Sequence, residues 1–477
     1  MPKKNAREIK EKSSQTLIEE SLESIQNWEP HVRAFLEVFE DSARAQAKKA
    51  DANKEQGKLH GLPVAIKDLI LTTEGHTTAA SKILETFESP YDATVIKRLK
   101  AAGAIIVGKT NLDEFAMGSS NEYSAFGPVK NPWDMSRVAG GSSGGSAVAV
   151  ATGEAWAALG TDTGGSVRLP ASFCNVVGLK PTYGRNSRFG VIAYASSFDQ
   201  VGIFSRTVKD NALLLEILAG QDEYDATTAR EPVGDYTGAC QKGVKGLTIG
   251  LPKEFFGKDV EPEIAETVSG AVKQLEKLGA RLQEVSLPLM HAAVPTYYLL
   301  VKAEASSNLA RFDALRYGKL PVQAKNLLEH YLESRGKYFG SEVKRAILMG
   351  TYTLSAGYVD AWYKQASRVR TLIRREFESL FEQVDVIAGP VSPEGVFPLG
   401  SKADDPLKMY LADLLADPAS VAGLPALSVP AGFSNSLPVG MQLIAPHFRE
   451  DLLFQAAYAY EQSQDWWQKV PEIPRTE

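Results

Sequence analysis

Cysteine is nearly missing from this sequence: its 477 residues contain only Cys174 and Cys240. They have no paired spacing, so a disulfide framework and a zinc ribbon are excluded, and a reducing cytosol is the expected setting. Histidine is also sparse. Its six residues (31, 60, 76, 291, 330 and 447) include no HExxH-type clamp, and that spacing supports no metal site. Long apolar runs are absent: nothing approaches the roughly 18 residues of a membrane span. The N-terminal MPKKNAREIKEK carries charge without the apolar stretch of a signal peptide. The expectation is a cytoplasmic chain with no membrane role. A basic surplus is lacking as well. The 58 acidic residues outnumber the 52 basic ones, for a formal charge of -6, which argues against a broad nucleic-acid face built on counterion release.

What remains is a globular composition, 44% hydrophobic and 23% charged. Residues 1–56 read as helical. Leu17, Ile18, Ser21, Leu22 and Ile25 share one stripe, Glu29-Pro30 breaks it, and a second helix is expected from about Val32 to Asn53. From Leu59 the texture alternates. GLPVAIKDLIL reads as a short buried strand, ATVIKRLKAAG as an amphipathic helix and AIIVGKT as a β-branched strand. Such alternation builds an α/β layered core. LTIGLPK and GARLQEVSLP read as strands around a helix at Pro262–Leu278, residues 294–385 read as mainly helical, and VDVIAGPVSP, ALSVPAG and GMQLIAP are strand-like again. Because strands return after the helices, the helical run is an insertion. The expected organisation is an N-terminal helical segment, 1–57, packed on a single α/β domain, 58–477, with a mainly helical insertion at about 294–385.

Three short motifs compete for the chemistry. Gly103-AIIV-Gly108-Lys109-Thr110 fits the phosphate-loop pattern, which works only where the middle residues form a loop with its amides on phosphate. Ala-Ile-Ile-Val are strand formers that belong in a core. Gly141-Ser142-Ser143-Gly144-Gly145 is formally GxSxG, with His447 as a late base. A nucleophile elbow needs an apolar strand leading into the serine; NPWDMSRVAGG is polar and proline-broken, although AVAVATG beyond it reads as helix. The third motif is a serine–lysine system. Lys67 ends an apolar run, where lost hydration disfavours the ammonium and lowers its pKa, and a neutral lysine is a competent base. On spacing alone, a strand-end lysine reaching out to water is the alternative. In GTDTGGSVRLP, Ser166 follows Thr163-Gly164-Gly165, a turn able to aim successive amides at one spot, as an acyl-transfer oxyanion requires. Arg168 and Asp162 flank that turn as an expected charge pair, and Cys174 reads as packing.

The stretch GGSSGGSAVAVATGEAWAALGTDTGGSVRLPASFCNVVGLKPT, Gly140–Thr182, closely resembles the signature of the amidase signature family. The likeness extends to GLPVAIKD and GRNSRFGVIAYASSFDQVG. EASSNLARFDALRYG, FGSEVKRAILMGTYTLSAGYVDAWY and DDPLKMYLADLL are similar to the A subunits of glutamyl-tRNA(Gln)/aspartyl-tRNA(Asn) amidotransferases. Together these likenesses cover about residues 10–465.

The resemblance implies an α/β fold with a central mixed β-sheet covered by helices on both faces. It implies Ser166 as nucleophile, Ser142 as a bridging serine entered by a cis peptide, and Lys67 as base. Amides around Thr163, Gly164, Gly165 and Ser166 would form the oxyanion hole. Tyr297, Arg345 and Asp413 would bind substrate, a cation suiting the α-carboxylate of glutamine and an anion its α-amino group. Glutamine would be hydrolysed to glutamate and ammonia through an acyl-serine. The ammonia would pass to a partner in a complex with B and C subunits, the tRNA being held mainly by the B subunit. No cofactor is expected in this chain; ATP and Mg2+ would act in the partner. The alternative is a stand-alone amidase of small carboxamides, which would share the GGSSGG and DTGGS blocks.

Overall fold

Small and β-branched apolar residues build the centre of this protein. The computed structural model describes residues 12–53, 57–320 and 323–473. Thirteen strands occur among the described residues: β1 Phe35–Val38, β2 Pro63–Lys67, β3 Ile105–Thr110, β4 Lys130–Asn131, β5 Asp134–Val138, β6 Ala157–Asp162, β7 Val177–Lys180, β8 Gln200–Ser205, β9 Thr248–Pro252, β10 Arg281–Val285, β11 Val386–Pro390, β12 Ala426–Ser434 and β13 Leu437–Ile444. Eleven form one sheet in the order β1-β3-β2-β6-β8-β7-β12-β13-β11-β9-β10, and β4 and β5 pair apart as a hairpin. The sheet is mixed. β2 runs parallel to β3 and β6, and β9 runs parallel to β10 and β11; the remaining neighbours are antiparallel. β2, β3, β6, β7 and β8 are buried along their whole length. Strands covered on both faces read as continuous apolar runs rather than alternating ones.

Helices supply both covers. Val64 and Ile66 of β2 share one buried cluster with Val95, Ile96 and Leu99 of the helix Thr94–Ala101 and with Leu214 and Leu215 of Val208–Leu218. Ala65, on the opposite face, packs with Ile18, Leu22 and Ile25 of Ser14–Val32 and with Ala147 and Val148 of Gly144–Ala151. The register sets Ile66 opposite Leu159. The parallel strands β2 and β6 therefore end at the same edge of the sheet and deliver Lys67 and the GTDTGGS turn side by side, at the carboxyl ends where α/β sheets place their sites.

One expectation needs correction. No helix runs from Val32 to Asn53. The helix Ser14–Val32 holds Pro30 within its last turn and stops at Arg33, whose φ is 57°. β1 follows at the sheet edge, antiparallel to β3, and then the helix Glu40–Ala52. The Glu29 carboxylate causes the break: it accepts the amides of Ala34 and Phe35 at 2.7 and 3.0 Å, turning the chain out of the helix. The expected strands at LTIGLPK and GARLQEVSLP are β9 and β10, around the helix Pro262–Lys277. The insertion folds as the helices Ala293–Asn308, Leu327–Tyr338, Ser341–Leu354 and Tyr363–Leu380. Among the described residues, no helix is long and apolar enough to cross a membrane.

Within the insertion, Gly350 lets two helices touch. A Cβ there would lie 1.9 Å from the Lys302 carbonyl oxygen. At an open helix position, Gly→Ala stabilises by about 1 kcal/mol. At Gly350 the backbone clash dominates, and Gly350→Ala should destabilise by about 1–3 kcal/mol, seen as an earlier urea midpoint. Nothing lies within 4 Å of a Cβ built on Gly270 in Pro262–Lys277, so Gly270→Ala should shift the midpoint in the opposite direction.

Candidate active site

Lys67 closes β2 and is fully buried. Its Nζ lies 2.8 Å from Ser142 Oγ, 2.8 Å from Ser143 Oγ and 2.9 Å from Thr161 Oγ1. Burial brings the Lys67 pKa down to about 7, while the more distant charges of Asp113, Asp199 and Asp162 pull it upward. Proton counting gives these contacts a direction. Ser143 Oγ donates to the Thr161 carbonyl at 3.1 Å and accepts the Thr161 amide at 3.3 Å, so toward the amine it can only accept. A neutral amine has two N–H groups and one lone pair. One N–H is thus directed to Ser143, and the lone pair is left for one of the two remaining hydroxyls, Ser142 or Thr161. Sequence reasoning alone misses Ser143 and Thr161. Their only signals are the second serine of GGSSGG and the threonine just before Asp162.

The Gly140–Gly145 loop is pinned from several sides. Gly140 has φ 78°, and the Gly141–Ser142 peptide is cis. The Gly141 amide donates to the Ser119 carbonyl at 2.8 Å, and the Asp113 amide donates to the Ser142 carbonyl at 3.1 Å. A Cβ on Gly141 would lie 2.1 Å from Asp113 Oδ2, so only glycine lets the loop sit this close to that carboxylate. The strand before the loop, β5, belongs to the separate hairpin, so the elbow geometry suggested by GxSxG is not present. The His447 ring lies 3.0 Å from the Ala422 carbonyl oxygen. The phosphate-loop pattern falls in β3, where Lys109 is buried. Its Nζ donates to the Ile70 carbonyl at 2.9 Å and to Thr77 at 2.8 Å, and pairs with Asp68 at 3.2 Å.

The turn bearing Ser166 leaves β6 and is held by the expected charge pair. Arg168 bonds both oxygens of Asp162 at 3.0 Å. Burial alone would raise the Asp162 carboxyl, but the Arg168 charge and hydrogen bonds hold it below the usual range. Arg168 also donates to the Gly164 and Ala416 carbonyls, each at 2.8 Å. With the Gly164 carbonyl drawn to Arg168, the amides of Gly164, Gly165 and Ser166 meet no acceptor among the described residues. The Thr163 hydroxyl donates to Asp199 at 2.7 Å. Ser166 is 7% exposed, and its hydroxyl has no hydrogen-bond partner among the described residues. Its carbonyl accepts the Ser143 amide at 3.2 Å. The two serine loops are thus joined by backbone, while the Ser142 and Ser166 hydroxyls are not hydrogen-bonded to each other.

Tyr297 and Asp413 reach the same turn. A Cβ on Gly164 would lie 2.8 Å from the Tyr297 hydroxyl, and one on Gly165 would lie 2.9 Å from Asp413 Oδ1. Arg345 does not join them. Its guanidinium is ion-paired with Glu342, one turn away on its own helix. Glu342 also takes Lys302 at 2.7 Å and the Tyr410 hydroxyl at 2.9 Å. A nearby carboxylate has captured the cation. Through Glu342, Arg345 is linked to Tyr410, three residues before Asp413. Cys174 is buried and unpaired, its thiol pushed up by burial.

A sheet-edge lysine among hydroxyls beside a serine on an amide-rich turn is an arrangement for acyl transfer. The amidase family model matches residues 16–454, and the chain belongs to that family. Among its relatives, it is 54% identical to the A subunit of glutamyl-tRNA(Gln) amidotransferase from Geobacillus thermodenitrificans, over 97% of this chain and 96% of that one. It is 52% identical to the protein of the same name from Moorella thermoacetica, over 98% and 96%. Its fold is similar to the crystal structure of the corresponding glutamyl-tRNA(Gln) amidotransferase protein from Thermotoga maritima, with a TM-score of 0.83 and 45% identity over 97% of this chain and 95% of that one. It is also similar to a peptide amidase from Stenotrophomonas maltophilia, with a TM-score of 0.80 and 32% identity over 98% and 96%.

Lys67 can accept a proton from Ser142 only after losing its own. Amide hydrolysis should therefore rise with pH, reach half-maximum at about 7, where Lys67 titrates, and level off above. A kcat/KM profile across that range checks this; a flat or falling profile would contradict the assignment of the base.

Proposed function

We propose that this chain is the glutamine-hydrolysing A component of a tRNA-dependent amidotransferase. The observation that carries the reading is the dehydrated Lys67 amine on the Ser142 hydroxyl, one loop from Ser166. Identity of 52–54% along nearly the whole of both chains to proteins bearing that name supports the choice of reaction.

The steps follow from the donors and acceptors present. Glutamine places its carboxamide carbon against Ser166 and its amino group toward Asp413. The Ser166 hydroxyl turns onto Ser142. Lys67 takes the Ser142 proton, Ser142 takes that of Ser166, and Ser166 Oγ attacks the carboxamide carbon. The resulting oxyanion sits on the free amides of Gly164, Gly165 and Ser166, with the Thr163 segment behind them. Preorganised donors of this kind contribute about 2.7–4 kcal/mol each to lowering the barrier. The proton returns through Ser142 to the leaving nitrogen, and ammonia departs. Water then attacks the acyl-serine by the same relay and releases glutamate. A complex with B and C subunits uses the ammonia to convert Glu-tRNA(Gln), Asp-tRNA(Asn) or both to the amidated form. ATP and Mg2+ act in the partner, and the tRNA is held mainly by the B subunit in the cytoplasm.

Ser166→Ala in the chain assembled with its B and C partners should lower glutamine hydrolysis at least about a thousandfold without changing the circular dichroism spectrum. Full activity in Ser166→Ala would end this mechanism. Equal turnover of glutamine and simple carboxamides, with no gain from partners, would end the assignment to the complex.

A further inference from the structure

The Ser166 turn has another neighbour. Asp417 opens the helix Asp417–Ala422 and is fully buried, yet neither of its carboxylate oxygens has a hydrogen-bond donor among the described residues. Asp413, one turn earlier and 5% exposed, accepts the Ser119 hydroxyl on Oδ2 and has no donor on Oδ1. Three of these four oxygens are therefore unsatisfied. All of this lies against the turn. A Cβ on Gly164 would fall 2.7 Å from Asp417 Oδ1, beside the Tyr297 hydroxyl, and one on Gly165 would fall 2.9 Å from Asp413 Oδ1.

Buried acceptors without donors are costly, and Arg168, whose charge acts on both carboxylates, cannot supply any. Arg168 is committed to Asp162, to the Gly164 and Ala416 carbonyls and to Ser420. Burial, and then the charge of Asp413, push the Asp417 carboxyl well up, with Arg168 pulling the other way. Burial raises Asp413 to about 7. A positive charge placed against both carboxylates would satisfy the oxygens and relieve the repulsion. A primary ammonium offers three donors, as many as there are unsatisfied oxygens.

We propose that Asp417 acts with Asp413 to bind the cationic amino group of the substrate, and that Asp417 makes the chain discriminate against amides lacking that group. This rests on the reading of glutamine as substrate, whose amino group is separated from the carboxamide by a short chain. The two glycines before Ser166 leave bare backbone where that chain passes.

The test compares glutamine with glutaramate, which keeps the carboxamide and the carboxylate and lacks the amino group, using the full chain assembled with its partners. Asp417→Asn keeps the shape and removes the charge; Asp417→Ser is a smaller neutral replacement should the first not fold. In either variant, KM for glutamine should rise about 10- to 100-fold while kcat changes less than about threefold, the size expected when a ground-state charge contact is lost. Turnover of glutaramate should stay close to wild type, so the preference between the two amides collapses. Parallel loss on both amides, or an unchanged preference in a folded variant, overturns the proposal and leaves the glutaminase reading intact. A wild-type complex that does not hydrolyse glutamine overturns that reading, and this proposal with it.

Discussion

An amine kept from water among nothing but hydroxyls is the constraint on which this site depends. Four lysines among the described residues are at most 2% exposed, and their partners separate them by role. Lys109, on the strand next to β2, touches Asp68. Lys302 touches Glu342. In both, a carboxylate in contact opposes the burial that lowers the lysine's pKa, and the pair serves as a structural tie. Lys180 is also brought to about 7 by burial, but it donates to the Pro181 carbonyl and has no hydroxyl to relay to. Among the described residues, only Lys67 combines a dehydrated amine with hydroxyl neighbours and no carboxylate in contact. The surrounding carboxylates affect it at a distance because each is engaged elsewhere: Asp162 by Arg168, Asp113 by the amides of Asn121 and Tyr123, and Asp199 by Thr163 and the amides of Tyr194 and Ala195.

A single guanidinium ties the reacting end of the site to the end that faces Asp413 and Asp417. Arg168 clamps Asp162 and Gly164 before Ser166, and reaches Ala416 and Ser420 on the segment that carries those two aspartates. The planar fork makes these bonds at once, in directions a lysine ammonium cannot reproduce. The distance from Ser166 to the acidic wall is thereby set by one rigid group rather than by two mobile loops. The free amides of Gly164, Gly165 and Ser166 depend on the same residue, because Arg168 draws the Gly164 carbonyl away from them.

The central strands are legible in the sequence because burial on both faces writes itself as apolar runs, and Lys67 and Ser166 because each ends or follows such a run. β1 is not. Of its four residues only Phe35 is buried, too little for any periodicity, and the break before it comes from a carboxylate reaching forward from Glu29. Ser143 and Thr161 are hidden for a different reason: what a hydroxyl does depends on which acceptor takes its hydrogen, and that is set by contacts between β6 and the serine loop. Arg345 departs from its expected place because Glu342, three residues earlier, competes for the guanidinium. Asp417 sits where an acidic residue commonly favours a helix start, so its position in the chain looks ordinary, and only its burial without donors distinguishes it.

In the proposed relay, the interposed serine would resolve a conflict between two environments. As the proposed nucleophile, Ser166 must meet substrate, and it keeps some contact with the outside. A lysine placed directly against it would share that contact, regain hydration and hold its proton at neutral pH. Setting Ser142 between them moves the amine to the end of β2, where it is fully enclosed, and leaves only a neutral hydroxyl to span the gap. A hydroxyl suits that position because it accepts one proton as it gives up another, so charge need not build up on the bridge. Burial of the base and exposure of the nucleophile then become separate properties, one set by the sheet and the other by the DTGGS turn.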